Sequence, residues 1–215
     1  MSFDINRWME AYKKAMISAF GQERIVCIGI QGSYGRGEAT DSSDIDVVLI
    51  LDKVELKDLN TYHNTLERAS NRDKICGFVS GRQELQNWEA SDLFTFYYDT
   101  RVLVGNLDFV LPRLTMEAAR RSVLTGACNI YHACSHNYIH ESDVEILRAL
   151  QKALFFVLRI KHFCNTCDFI SAKHRLLHLL PEEEQLLLLT DPANFDMLSQ
   201  SILQWSSKTI AEFSA

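Results

Sequence analysis

Two short apolar runs joined by a polar loop constrain this chain more than any other feature. "IVCIGIQ" at 25–31 and "IDVVLIL" at 45–51 are rich in β-branched residues and too short for helices, so both read as buried strands. Between them lies "GSYGRGEATDSSD". Glycine, serine and aspartate are ordinary turn residues, and a loop of that composition need be nothing more than a turn. Asp46 is different, because it sits inside the apolar strand, where a carboxylate without a partner is expensive. Residues two apart on a strand share a face, so Asp44 and Asp46 project together.

The flanking chain supplies the layers such strands need. Ile5, Trp8, Met9, Tyr12, Met16 and Phe20 recur at helical spacing, and Gly21 follows as a cap. "ELKDLNTYHNTLERAS" reads as a helix, "KICGFVS" at 74–80 as a third strand, 82–97 as one helix and "TRVLVG" as a short strand. After Pro112 the pattern is helical: about 115–138, 142–165, a short helix at 171–179, and two more punctuated by Pro181 and Pro192. Strands in the first half and helices in the second predict an α+β fold. The expected organisation is a domain over 1–112 and a helical bundle over 113–215.

Known phosphate loops do not fit. The stretch lacks the Gly-Lys-Ser/Thr of a Walker A loop, and no register of its glycines gives GxGxxG. What remains is a paired carboxylate facing a Gly-Ser turn. Paired carboxylates suit Mg²⁺ (or Mn²⁺), which takes oxygen ligands and keeps room for water and phosphate, and a cation relieves their mutual repulsion. Gly32 permits close backbone approach, Ser33 offers a hydroxyl and an N–H, and Arg36 a charged donor. That set predicts a bound triphosphate and metal-assisted displacement at its α-phosphate.

With these residues in hand, "GSYGRGEATDSSDIDVVLIL" resembles the signature of the nucleotidyltransferase superfamily that shares the DNA polymerase β palm. It is most similar to the small bacterial branch of antibiotic nucleotidyltransferases, the kanamycin enzymes among them, and minimal nucleotidyltransferases. The resemblance puts the family's turn on Gly32 and Ser33, its arginine on Arg36 and its first metal carboxylates on Asp44 and Asp46. It implies a nucleotidyltransferase fold with a mixed sheet, an NTP substrate (ATP the expected one), and transfer of a nucleoside monophosphate to an acceptor hydroxyl on a small molecule or a protein side chain. A catalytically silent nucleotide-binding regulatory module and an antitoxin-like enzyme that modifies a protein stay open beside it. The family's third metal carboxylate belongs on a later strand. "KICGFVS" is the expected strand and carries no acid; Asp73 stands at its edge and Asp99 before the next strand, with Asp99 favoured as the substitute ligand.

In the helical half, Glu145, Arg148, Lys152 and Arg159 fall on one stripe at about 100° per residue. A solvated, ion-paired face accounts for them. The functional reading, which the resemblance supports without fixing either residue, has Lys152 or Arg148 touching the triphosphate and Glu145 accepting the acceptor's proton. Ala119, Ser122, Gly126 and Ala133 would let a neighbouring helix pack close. His132, His136 and His140 recur every four residues, a spacing a metal could use, with solvated histidines the simpler reading. Cys164 and Cys167 form a CxxC without the further ligands of a structural zinc site, and no Arg-x4–6-His pair of helical ribonucleases is present. The net charge of −6 argues against a nucleic-acid partner. The start is too charged for a signal peptide, and the apolar runs are too short for a membrane span. The expectation is a cytoplasmic protein whose partners are an NTP and an acceptor, with a homodimer left open.

Overall fold

The computed structural model describes residues 3–214. These divide into two compact units: one runs to Glu89 and resumes over Phe96–Pro112, the other comprises Ala90–Thr95 and the chain from Arg113 onward.

The first unit is a mixed four-stranded sheet. Its strands are β1 (Ile25–Ile30), β2 (Ile45–Leu51), β3 (Ile75–Gly81) and β4 (Arg101–Gly105), in the order β3-β2-β1-β4. β1 is antiparallel to β2 and to β4, whereas β2 and β3 are parallel. A parallel pair needs a crossover, and helix α3 (Leu56–Leu66) lies in that connection. Ile45, Val47, Leu49 and Leu51 of β2 join Ile28 and Ile30 of β1 in one core with Met9, Tyr12, Met16 and Phe20. Those last four come from helix α1 (Ile5–Phe20), capped by the Asp4 carboxylate and ended at Gly21. Tyr62 and Leu66 of α3 complete the cluster. Because strand side chains alternate, Asp46 belongs to the other face, with the buried Val48 and Ile50.

One element departs from its sequence pattern. Residues 82–97 do not make a single helix: α4 (Arg82–Gln86) stops, and α5 (Ala90–Asp99) starts afresh. Asn87 folds its amide onto the Gln83 carbonyl at 2.9 Å, and Trp88 turns to the ring of Phe78, with centroids 5.8 Å apart. Side-chain bonding to the chain's own backbone and a tertiary aromatic contact break a run whose apolar spacing is continuous.

The second unit is helical. Its helices are α6 (Met116–His136), α7 (Val144–Thr166), α8 (Lys173–Leu177), α9 (Glu182–Leu189) and α10 (Phe195–Phe213). Packing is close where the small residues predict it. A side chain at Gly126 would fall 2.4 Å from Val157 Cγ2. Glu184, buried, accepts from Lys161 Nζ at 2.7 Å and Trp205 Nε1 at 3.0 Å, tying α7, α9 and α10 together. The charged stripe of α7 is not one solvated face. Glu145 and Arg148 pair in solvent and Lys152 is exposed, but Arg159 is fully buried among Phe155, Phe156 and Phe169. Helical phase alone could not show that the C-terminal half of this stripe is covered. No helix among the described residues is long and apolar enough to cross a membrane.

Candidate active site

β1 ends at Ile30, and the chain turns at once into a five-residue helix, α2 (Gly32–Arg36). Gly32 makes the turn with φ +64, a left-handed conformation natural to glycine. Its Cα lies directly against the Asp46 side chain: a Cβ there would fall 1.9 Å from Oδ2. Backbone at the mouth of the loop and carboxylate on the strand are thus in contact. Gly35 packs the other way, where a Cβ would stand 3.0 Å from the Ile30 carbonyl oxygen. The first N–H groups of a helix have no intrahelical acceptor, and the Ser33 hydroxyl makes no hydrogen bond to any described residue. Lys74 Nζ donates to the Asp41 carbonyl, fastening the far end of the loop.

Gln31 organises both sides of β1. Its N–H donates to the Asp46 carbonyl at 2.7 Å. Its side-chain Nε2 donates to Thr100 Oγ1 at 2.7 Å and to the Phe96 carbonyl at 3.1 Å. The end of β1 therefore has Asp46 on one flank and the α5–β4 junction, with Asp99, on the other. Asp99 is 9% exposed. It meets Arg36, whose Nη1 donates to Oδ2 at 2.9 Å while Nε donates to Glu38 at 3.0 Å.

Asp46 feels the charge of two other acids, Asp44 and Asp99. The Asp46 carboxyl is raised above its ordinary pKa, first by burial, then by the charge of Asp44, with Arg36 opposing and Asp99 adding to the rise. Asp73 is exposed and does not enter that balance. The strand "KICGFVS" brings Cys76 opposite Asp46, whereas Asp99, whose charge does enter that balance, lies at the α5–β4 junction on the other side of β1. Sequence order pointed to β3 because it follows β2 directly; the antiparallel pairing of β1 with β4 was not legible in any local pattern.

Asp44 and Asp46 fit a hard divalent cation: two like charges crowd together, and a cation would relieve the strain on Asp46. Among the described residues no three His, Cys, Asp or Glu side chains already converge on one point, and Asp99 is turned to Arg36. An ion such as Mg²⁺ accommodates this, since it keeps waters and takes phosphate oxygens as ligands. Lys152 and Glu145 belong to the other unit, and both are exposed.

Residues 10–100 match the family model described as Nucleotidyltransferase domain. Among solved structures, the chain is similar to spectinomycin adenyltransferase AAD(9) from Enterococcus faecalis, crystallised with ATP and spectinomycin. Identity is 12% and the TM-score 0.58, over 96% of this chain and 99% of that one, a likeness of fold. A nucleotidyltransferase-like protein from Exiguobacterium sibiricum aligns at 9% identity and a TM-score of 0.36, over 95% of this chain and 78% of that one. No curated protein matches the sequence. Residues 10–100, which carry the Gly32 turn and the acids that face it, thus match the domain of the superfamily whose signature this loop resembles.

Proposed function

We propose that this protein transfers a nucleoside monophosphate, with ATP as the expected donor, to an acceptor hydroxyl in a reaction that depends on Mg²⁺ or Mn²⁺. The observation that carries the proposal is the contact of Gly32 with the Asp46 carboxylate. A triphosphate held at the turn lies beside the acids that would hold its counter-ion. The bound cation would neutralise charge on the triphosphate and polarise the α-phosphate.

The protein's own groups then have separate tasks. Gly32 admits the phosphate to the backbone, and Ser33 donates its hydroxyl to a phosphate oxygen. Arg36 either reaches the triphosphate or stays with Asp99 and keeps that acid in place. Asp44 and Asp46 supply carboxylate oxygens to the ion, and Asp99 is the third acid in range. Pyrophosphate leaves as the acceptor oxygen bonds to the α-phosphorus, and a general base takes up the acceptor's proton. The cytoplasm, with its ATP and Mg²⁺, suits the reaction.

Calorimetry with a non-hydrolysable ATP analogue, with and without Mg²⁺, tests the binding half, and pyrophosphate release across a panel of hydroxyl acceptors tests the transfer. Metal-dependent binding without release on any acceptor would leave a nucleotide-sensing module. Absence of metal-dependent binding would overturn the proposal.

A further inference from the structure

The second unit carries a row of metal-binding side chains that nucleotidyl transfer leaves unused. Cys128, His132, His136 and His140 recur every fourth residue and all are exposed. Residues four apart on a helix stand over one another. The spacing along this row is not uniform. The ring centres of His132 and His136 are 6.3 Å apart, and those of His136 and His140 only 4.7 Å apart.

The shorter distance falls where α6 ends and the chain widens into a π-helical turn, Asn137–Glu141. Such turns are uncommon and need support. Here Asn137 is completely buried. Its Nδ2 donates to the Asp143 carbonyl at 2.9 Å and its Oδ1 accepts from the Asp143 N–H at 3.0 Å. Ser142, with φ 52, closes the turn by donating its N–H to the Asn137 carbonyl at 2.7 Å. The close pair of imidazoles therefore stands on a fixed backbone. Beside it, a Glu141 carboxylate oxygen lies 3.7 Å from His136 Nε2.

We propose that His136 and His140 chelate one divalent transition-metal ion of the Zn²⁺, Ni²⁺ and Cu²⁺ class, with water in the remaining positions. Neutral imidazole suits these ions, whereas Mg²⁺ requires oxygen, so this ion is chemically distinct from the one assigned to Asp44 and Asp46. The spacing agrees. With metal–nitrogen bonds of about 2.0–2.1 Å, two imidazoles on one ion have ring centres about 4.5–5.3 Å apart, from right-angled to tetrahedral geometry. The 4.7 Å pair lies inside that range and the 6.3 Å pair outside it. Two ligands are the whole protein contribution required, consistent with the lack of a convergent trio among the described residues. The negative charge of Glu141 favours a cation at this position. A bound ion would clamp the last turn of α6 to the π-turn, stabilising the folded state because the unfolded chain holds no preformed pair.

The test uses the full chain carrying Asp46→Asn, which disables the carboxylate site, with Ni²⁺ as the probe in calorimetry and thermal unfolding. One Ni²⁺ should bind and raise the melting temperature, while Mg²⁺ does neither. Adding His140→Gln should weaken Ni²⁺ at least tenfold, and adding His132→Gln should change it less than twofold. Circular dichroism verifies that each variant is folded. Equal Ni²⁺ affinity with and without His140→Gln would overturn the proposal. So would loss of binding on Cys164→Ser, which would place the ion at the thiols. Both readouts are independent of nucleotide, so the outcome does not depend on the transfer reaction.

Discussion

Arg36 Nη1 and Asp99 Oδ2 stand 2.9 Å apart, with the two side chains only 11% and 7% exposed. The arginine that the loop motif assigns to phosphate is thus the counter-ion of a third acid beside Asp46. Removing one member of a buried pair strands the other's charge, at about 3 kcal/mol or more. Arg36→Ala should accordingly lower stability by about that much, and Asp99→Asn in the same chain should restore part of it. Urea unfolding of the two single variants and the double variant measures the coupling. Mg²⁺ should stabilise Arg36→Ala more than wild type, because the ion can replace the lost guanidinium. An identical Mg²⁺ effect in both proteins would separate Asp99 from the metal.

Asp46→Asn should abolish Mg²⁺-dependent stabilisation while leaving the metal-free protein at least as stable as wild type at neutral pH. Burial and the Asp44 charge raise the Asp46 carboxyl in the folded protein. The folded state therefore holds this proton to higher pH than the unfolded chain does. Below the ordinary carboxylate range both states are protonated and there is no penalty. As pH rises through the raised folded value, stability is lost. The variant should gain on metal-free wild type over that interval. Thermal melts of both proteins at several pH values, in chelator, would reveal the divergence. A variant less stable than wild type throughout would contradict it.

The Ser33 hydroxyl has no partner among the described residues, so its removal leaves nothing unsatisfied in the free protein. Ser33→Ala should keep wild-type stability and weaken the ATP analogue by about 1–2 kcal/mol, as for a hydrogen bond to a charged group. Calorimetry in saturating Mg²⁺ reads it directly, and equal affinities would remove Ser33 from the site.

Much of this arrangement is legible in residue order, because it is local. The strands on either side of the loop and the helical run from Ile5 to Phe20 follow from periods of two and 3.6 residues, and the turn at Gly32 follows from a residue free to take a positive φ. Nonlocal pairing is what residue order hides. Asp99 is 53 positions from Asp46 in number, and its charge acts there because β4 pairs with β1 and not with β3. Arg159 shares a helical phase with Lys152, yet Phe169 lies over it. The break at Asn87–Glu89 depends on Phe78, a residue of another element.

Away from the site, Asp58 anchors the start of α3. It is buried, accepts from Arg24 at 2.7 and 3.2 Å, and takes the Glu55 N–H at 2.9 Å. The Arg24 guanidinium holds its carboxyl down at about 2, from an ordinary 3.8. A depressed carboxyl stabilises fully above its unfolded value and loses that contribution as pH falls towards the folded one. Asp58→Asn should lose on the order of 2 kcal/mol at pH 7, and the deficit should shrink between pH 4 and about 2. Urea unfolding across that range measures it; a deficit independent of pH would assign the loss to packing.

Gly32→Ala joins backbone and chemistry in one substitution. At φ +64 an alanine costs about 1–2 kcal/mol, which a domain of this size can tolerate. The new methyl would also fall 1.9 Å from Asp46 Oδ2, 2.9 Å from its Cγ and 3.3 Å from its Cβ. The Asp46 side chain must swing away from Cγ outward, so the chain folds with Asp46 turned from the loop. The expected result is a melting temperature lowered by a few degrees, together with Mg²⁺-dependent nucleotide affinity reduced at least tenfold. Calorimetry and thermal unfolding on the same preparation distinguish the two effects. If the variant melts lower but binds nucleotide and Mg²⁺ as wild type does, the contact between Gly32 and Asp46 is structural and the site lies elsewhere on the domain.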